Sequence, residues 1–245
     1  GVVNAIYYSI DVIIIGLFLS KENVGHYVAA GRILTIGLSF AGIFTTAFMP
    51  VLSRLIMEGN ARREASQHLS RSVLFLGCIL ACGGFVLAPD IIQLLYGEKF
   101  ADAELSLRLL MINLAVAHVL VVYNLQLMVW NQERVQMYIM TAGALLNVIL
   151  NLLFIPRFGI EAAATTTLVT TLFVIILAFR VQRRQGNEGH TYAIIQNAVL
   201  FAIFAWIGFE LRKRFGIVFE VSVSRILIFG TPLVLSYVAI GWGLG

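Results

Sequence analysis

Residues 135–179 read VQMYIMTAGALLNVILNLLFIPRFGIEAAATTTLVTTLFVIILAF, two apolar blocks separated by one short turn. Val135–Ile155 and Ile160–Phe179 each approach the roughly 20 apolar residues that a helix needs to cross a bilayer core about 30 Å thick. Between them stands Pro156-Arg157-Phe158-Gly159, a turn that ends the first block at its proline. Neither block alternates with period two, as the strands of a membrane barrel would. In lipid only helices and closed barrels satisfy every backbone group, so the stretch reads as two membrane helices joined by a tight turn.

Working outward, the same kind of block recurs. The others are Val2–Ser20, Tyr27–Leu55, Ser72–Tyr96 with Pro89 near its end, Leu105–Trp130, Tyr192–Leu211 and Ile226–Leu244. Between them lie Lys21-Glu22-Asn23, a polar stretch Glu58–Arg71 read as a loop with a short surface helix, a charged loop Gly97–Glu104, a tight connection Asn131–Arg134 and a basic loop Arg180–His190. Composition agrees: 60% of residues are hydrophobic, 12% are charged and the mean hydropathy is +0.91. A soluble domain is about 45–50% apolar and about 25% charged. The expected fold is all-α, a polytopic membrane helical bundle of about eight transmembrane helices in the plasma (inner) membrane.

The net charge of +4 would suggest nucleic acid in a soluble protein. Here the basic residues sit in short loops between apolar blocks, so topology explains them and nucleic acid is excluded as a partner. One side carries Arg54, Arg62, Arg63, Arg71, Arg134, Arg180, Arg183 and Arg184; the other, over the first six blocks, carries Lys21, Lys99 and Arg157. That asymmetry puts the arginine-rich side, and the start of the chain, in the cytoplasm. Arg212, Lys213, Arg214 and Arg225 in the last connection run against it. Cys78 and Cys82, four apart in one apolar block, read as small buried hydrophobes, since no histidine or carboxylate lies near them at ligand spacing. No metal or other cofactor is expected. The chain starts at Gly1 with no charged segment and cleavage site ahead of its first block. It therefore reads as part of a longer protein whose beginning is missing.

Polar groups inside apolar blocks are costly in a bilayer and usually functional. Asp11 lies mid-block, and an ionised carboxylate there costs roughly 2.5–3.5 kcal/mol on insertion scales unless it is paired, protonated or turned to a cavity. Two roles are open for it: a cation or proton site or cavity lining, and a structural partner for Arg32 or a backbone group. Arg32, about two turns into the second block, is either a phosphate-binding guanidinium or an arginine snorkelling to the interface. Arg108 reads as snorkelling or paired with Glu104. Asn113 and Asn124 can share one helix face that lines a cavity, and His118 reads as a bundle histidine with a satisfied ring. Asn147 and Asn151, four apart, present two amides on one face, suited to interhelical hydrogen bonds. Ala162–Ala164, Thr165–Thr167 and Gly143-Ala144 favour close packing. Asp11, Arg32, Asn113, Asn124, Asn147 and Asn151 are the candidate substrate or ion pathway.

Several stretches resemble the polysaccharide exporters of the multidrug/oligosaccharidyl-lipid/polysaccharide flippase superfamily. The strongest runs from Ile149 to Ala163, Asn151-Leu152-Leu153-Phe154-Ile155-Pro156-Arg157-Phe158-Gly159, with Glu161 where the family usually has glycine. Asp11 followed by Val24-Gly25-His26-Tyr27-Val28-Ala29-Ala30, then Pro50-Val51-Leu52-Ser53-Arg54 and Leu94-Leu95-Tyr96-Gly97-Glu98-Lys99-Phe100, fit the family in order and spacing across residues 1–180. The resemblance implies two six-helix lobes, with two further helices in most members. It assigns 1–183 to the second lobe and 191–245 to the additional pair, and leaves the first lobe missing.

It also implies a flippase, not an enzyme, that moves an undecaprenyl-pyrophosphate-linked oligosaccharide by alternating access. The lipid-linked oligosaccharide and membrane lipids are then the partners, with H+ or Na+ as the coupling ion. The alternatives are a cation-coupled multidrug antiporter of the same superfamily, a membrane glycosyltransferase or ligase, and a purely structural membrane subunit. The enzyme reading lacks the large loop with grouped acidic or histidine residues that it needs.

Overall fold

The computed structural model describes residues 2–54 and 59–184, together with 199, 202, 203, 205, 206 and 210. Every described element is helical: α1 Val2–Phe18, α2 Lys21–Arg54, α3 Gly59–Val86, α4 Ala88–Tyr96, a 3-10 turn Glu98–Phe100, α5 Ala103–Val129 and α6 Glu133–Arg184. Four stretches are long and apolar enough to cross a membrane: Lys21–Val51, Gln67–Val86, Ala103–Val129 and Glu133–Arg184. The block Ile226–Leu244 and almost all of Tyr192–Leu211 lie outside the described residues, as do Arg212, Lys213, Arg214 and Arg225. The apolar lengths and the absence of strands among the described residues make this an all-α membrane protein.

Two sequence expectations change. The polar stretch read as a loop with a short surface helix is helical from Gly59 onward, but as the opening of the long α3 and not as a separate helix. Its alanines, arginines, glutamate and glutamine are good helix formers, and polarity alone does not end a helix. The block Ser72–Tyr96 is not one helix either, because the chain breaks at Leu87 and α4 restarts with Pro89 in its first turn. A proline there lacks only an N–H that the first turn leaves unpaired anyway.

α5 is the helix around which the others gather. Gly77 and Gly84 of α3 sit against His118 and Met111 of α5, so closely that a β-carbon at either glycine would collide with the facing side chain. Seven residues forward in α3 match seven back in α5, as an antiparallel pair requires. The main core joins Ile14 and Ile15 of α1, Tyr27, Ala30 and Leu34 of α2, Leu107–Leu114 of α5 and Ile155–Ala164 of α6.

α6 is two helices merged across a kink at Gly159, whose φ of 73° and ψ of −153° suit glycine alone. The arms fold back on each other in a fixed register. Asn151 meets Thr166, Asn147 meets Thr170, and Gly143 lies against Val174. Each step of four along the first arm is a step of four back along the second, so the hairpin pivots at Phe158–Gly159. Asn23, Ala101, Asp102 and Gly159 gather around one open cleft of about 610 Å³ at the pivot end. At the other end Gln182 donates to the carbonyl of Tyr123 at 3.0 Å.

Candidate functional site: a buried oxygen cluster around Asp11

The hairpin register has a chemical consequence. It stacks the amides of Asn147 and Asn151 on the first arm of α6 against the hydroxyls of Thr166, Thr167 and Thr170 on the second. α1 packs beside this seam and delivers Asp11 to it, only 5% exposed. Oδ1 of Asp11 accepts the amide of Asn151 at 2.6 Å. Oδ2 accepts the hydroxyls of Thr167 and of Tyr27, each at 2.9 Å. Asn151 also donates to Oδ1 of Asn147 at 3.0 Å, and Asn147 reaches Thr170 at 3.5 Å.

Two hydroxyls of the cluster are shared between acceptors. The hydroxyl of Thr167 lies 2.9 Å from Oδ2 of Asp11 and 2.8 Å from the carbonyl of Ala163, yet has one hydrogen to give. The hydroxyl of Thr166 likewise faces both Oδ1 of Asn151 and, at 3.0 Å, the same carbonyl. With the Tyr27 hydroxyl also on Oδ2, three hydroxyl protons serve these three acceptor atoms, and two of the hydroxyls are each shared between two of them. Among the described residues no lysine, arginine or histidine hydrogen-bonds or ion-pairs with Asp11; Arg108 pairs instead with Glu104, at 2.9 Å. A buried carboxylate, amide oxygens, hydroxyls and a main-chain carbonyl make a hard-oxygen donor set, suited to a small hard cation or a proton and not to a soft metal. No group of three or more His, Cys, Asp or Glu side chains comes together among the described residues.

The structure brings Asp11, Asn147 and Asn151 into one cluster and leaves the other three pathway candidates outside it. Arg32 is exposed on α2 and does not pair with Asp11, so the Arg32 partnership weighed for Asp11 is not formed. Asn113 is buried with its side-chain oxygen unbonded, and Asn124 is half-buried; neither hydrogen-bonds to the cluster. Asn113 and Asn124 belong to α5, whereas the cluster is built from α1, α2 and α6. Arg108 pairs with Glu104 and lies over Phe85, and both cysteines are buried free thiols. His118 is only half satisfied, with Nδ1 on the Leu114 carbonyl at 2.8 Å and Nε2 bare. Sequence reasoning missed Tyr27 and treated the threonines as packing. Counting back from Gly159 would have set Thr166 and Thr170 opposite the two asparagines.

The long apolar helices and their buried polar seam define a polytopic α-helical membrane protein. Residues 1–105 match the family described as polysaccharide biosynthesis protein. Over 169 residues, 67% of its length, the chain is 28% identical to a probable low-salt glycan biosynthesis flippase, Agl15, of Haloferax volcanii, covering 36% of that protein. Over 180 residues, 71% of its length, it is 28% identical to a probable flippase, AglR, of the same organism, covering 37% of it. The chain thus spans just over a third of the length of these curated relatives. Its first 105 residues are thus similar to the polysaccharide biosynthesis protein family, and its apolar helices make it a multi-pass protein of the cell membrane.

Proposed function

We propose that this chain is the ion-binding lobe of a flippase that carries a lipid-pyrophosphate-linked oligosaccharide across the cell membrane. The observation that carries the reading is the Asp11 cluster. A carboxylate buried at membrane depth, with no basic partner among the described residues and set among amide, hydroxyl and carbonyl oxygens, has one negative charge to offer a coupling ion. Na+ or H+ fits that single charge, and irregular or kinked helices that present carbonyls to such ions recur in secondary transporters. Both relatives are named as probable flippases, and the one named for low-salt glycan biosynthesis supports the substrate class.

α2 supports the substrate side. Its exposed surface carries a polar stripe, Arg32, Thr35, Ser39 and Thr46, on an otherwise apolar helix. The three hydroxyls are bonded at 2.9 Å to carbonyls of their own helix. Arg32 has no hydrogen-bond or ion-pair partner among the described residues. It stands eleven residues past Lys21, roughly 16 Å along the helix at 1.5 Å per residue and so near mid-bilayer. A lone guanidinium at that depth belongs against a hydrated cavity, where it can grip a pyrophosphate bidentately.

In this reading α1, α2, α3, α5 and the two arms of α6 are the six crossings of one lobe, residues 1–183, with a further helix pair in 191–245 making eight. The arginine-rich end, with Arg54, Arg134 and Arg184, faces the cytoplasm, and the Gly159 turn faces outward. The test is Asp11→Asn in the complete protein reconstituted in vesicles, with flipping followed under imposed Na+ or H+ gradients. The substitution removes the charge and nearly preserves the shape, so the gradient should cease to accelerate flipping. An unchanged response to both gradients would show that Asp11 is structural.

A further inference from the structure

We propose that α2 is hinged between Gly42 and Pro50, and that the segment running from the hinge to Arg54 is a gate that swings on the rest of the bundle. The hinge takes from the flippase reading above only its side, with the Arg54 end of α2 in the cytoplasm.

The two halves of α2 are held differently. Toward Lys21, the residues Tyr27, Ala30, Leu34 and Ala41 are buried. Gly37 lies so close to Leu114 of α5 that a β-carbon there would collide with it, and His26 meets the carbonyl of Lys99 at 3.0 Å. Ala41 is the last buried residue of the helix: from Gly42 to Arg54 no described side chain is buried. Phe44, Phe48 and Met49 are partly buried, packed on a small cluster that includes Val73 of α3 and Val122 of α5. In lipid such contacts hold weakly, because the tails that replace them are as apolar as the side chains they release. The far half can therefore leave its seat without the hydrophobic cost that water would impose.

The weak points of the helix fall at that boundary. Gly42 follows Ala41 directly, and a β-carbon on it would meet nothing within 4 Å, so packing among the described residues does not call for a glycine. A glycine inside a helix weakens it relative to alanine. Thr45 and Thr46 turn their hydroxyls back onto the carbonyls of Ala41 and Gly42, each at 2.9 Å, an arrangement that bends helices. Pro50 lies inside the helix. It lacks the N–H that the carbonyl of Thr46 would take, and its ring crowds that carbonyl. A weak glycine, two back-bonded threonines and a deprived carbonyl thus meet where the packed half ends.

The gate, from Gly42 to Arg54, is roughly 18 Å long at 1.5 Å per residue. A change of about 20° at its root, the size of an ordinary helix kink, displaces its end by roughly 6 Å. Arg32, Thr35 and Ser39 lie on the packed side and stay in place. The way to them from the cytoplasm widens or narrows while their own geometry is kept.

Spin labels test this in the complete protein in vesicles. One pair, Val51 of α2 and Tyr138 of α6, spans the hinge; a second, Ile36 of α2 and Val169 of α6, stays on the packed side, and all four positions are exposed. The first pair should show two distances and the second pair one. Gly42→Ala should shift the balance between the two distances by about 5-fold, the worth of one helical glycine against alanine. Pro50→Ala should shift it in the same direction. Gly31→Ala is the control: its β-carbon also meets nothing within 4 Å, but it lies in the packed half, so both pairs should match the parent.

A single distance for Val51–Tyr138 in the parent overturns the proposal, and needs no variant to fold. So does an Ile36–Val169 pair that splits as widely, since the whole helix would then be rocking, or a Gly31→Ala effect as large as that of Gly42→Ala. These distances involve neither the coupling ion nor the oligosaccharide, so the hinge can fail while the flippase reading stands, and the reverse.

Discussion

The side-chain amide of Asn151 donates to Oδ1 of Asp11 at 2.6 Å, joining residues 140 positions apart, and with Thr167 it pins α1 to the α6 hairpin, while Tyr27 ties α2 to the same carboxylate. Removing a partner from a buried acceptor costs its desolvation, about 1–3 kcal/mol and more when the acceptor is charged. Asn151→Ala should therefore destabilise the complete protein by at least that much. Asn147→Ala should cost less, because Asn151 keeps its bond to Asp11 when the Asn147 oxygen is lost, and the bond from Asn147 to Thr170 is long at 3.5 Å. Thermal unfolding of the two variants in one detergent checks the order; an equal or reversed loss would mean that the Asp11 bond is not the one that matters.

A backbone prediction concerns the pivot. Gly159 adopts φ 73° and ψ −153°, a region that side-chain-bearing residues enter at a cost of order 1–3 kcal/mol. A β-carbon there would also lie 3.2 Å from a carboxylate oxygen of Glu161. Gly159→Ala should lower the unfolding temperature. If the chain relieves the strain by shifting the arms, Thr166 and Thr170 leave Asn151 and Asn147, and the gradient dependence of flipping should weaken along with stability. Full stability in Gly159→Ala would show that the kink is not held by this conformation.

Much of this architecture was legible because lipid simplifies the code: long apolar blocks are helices, and a proline followed by glycine between two of them is a turn. Asp11, Asn147 and Asn151 stood out for the same reason, as polar groups with no water to face. Their grouping did not. Nothing local ties Asp11 to a hairpin 140 positions away, and Tyr27 is an ordinary aromatic until packing turns its hydroxyl toward a carboxylate. The threonines were hidden because threonine in a membrane helix can satisfy its hydroxyl on its own backbone, as Thr35 and Thr46 do. The opening of α3 was misread because its polar residues protrude past the apolar window that begins at Gln67.

Packing of α3 on α5 gives a chemical prediction. Cys78 and Cys82 are not disulfide-bonded and are 4% and 0% exposed, beside the glycines that let the two helices meet. Buried thiols of this kind are inert, since reagents must reach the thiolate. In the native protein both should resist a membrane-permeant maleimide for as long as the fold lasts, and both should label once denaturant is added. Rapid native labelling of either would mean that α3 and α5 separate during the working cycle.

The last prediction separates recognition from folding. Arg32 is exposed on α2 and makes no hydrogen bond or ion pair among the described residues, so its removal leaves no orphaned group behind. Substitutions at such positions usually change stability by no more than about 0.5 kcal/mol. Arg32→Ala in the complete protein should therefore leave protein level and unfolding temperature intact while abolishing complementation of a flippase-deficient strain. Arg32→Lys keeps the charge but loses the fork that grips two phosphate oxygens at once, so it should complement only partly. Equal, full complementation by both variants would remove Arg32 from the substrate path and return it to the role of an arginine that reaches for the interface.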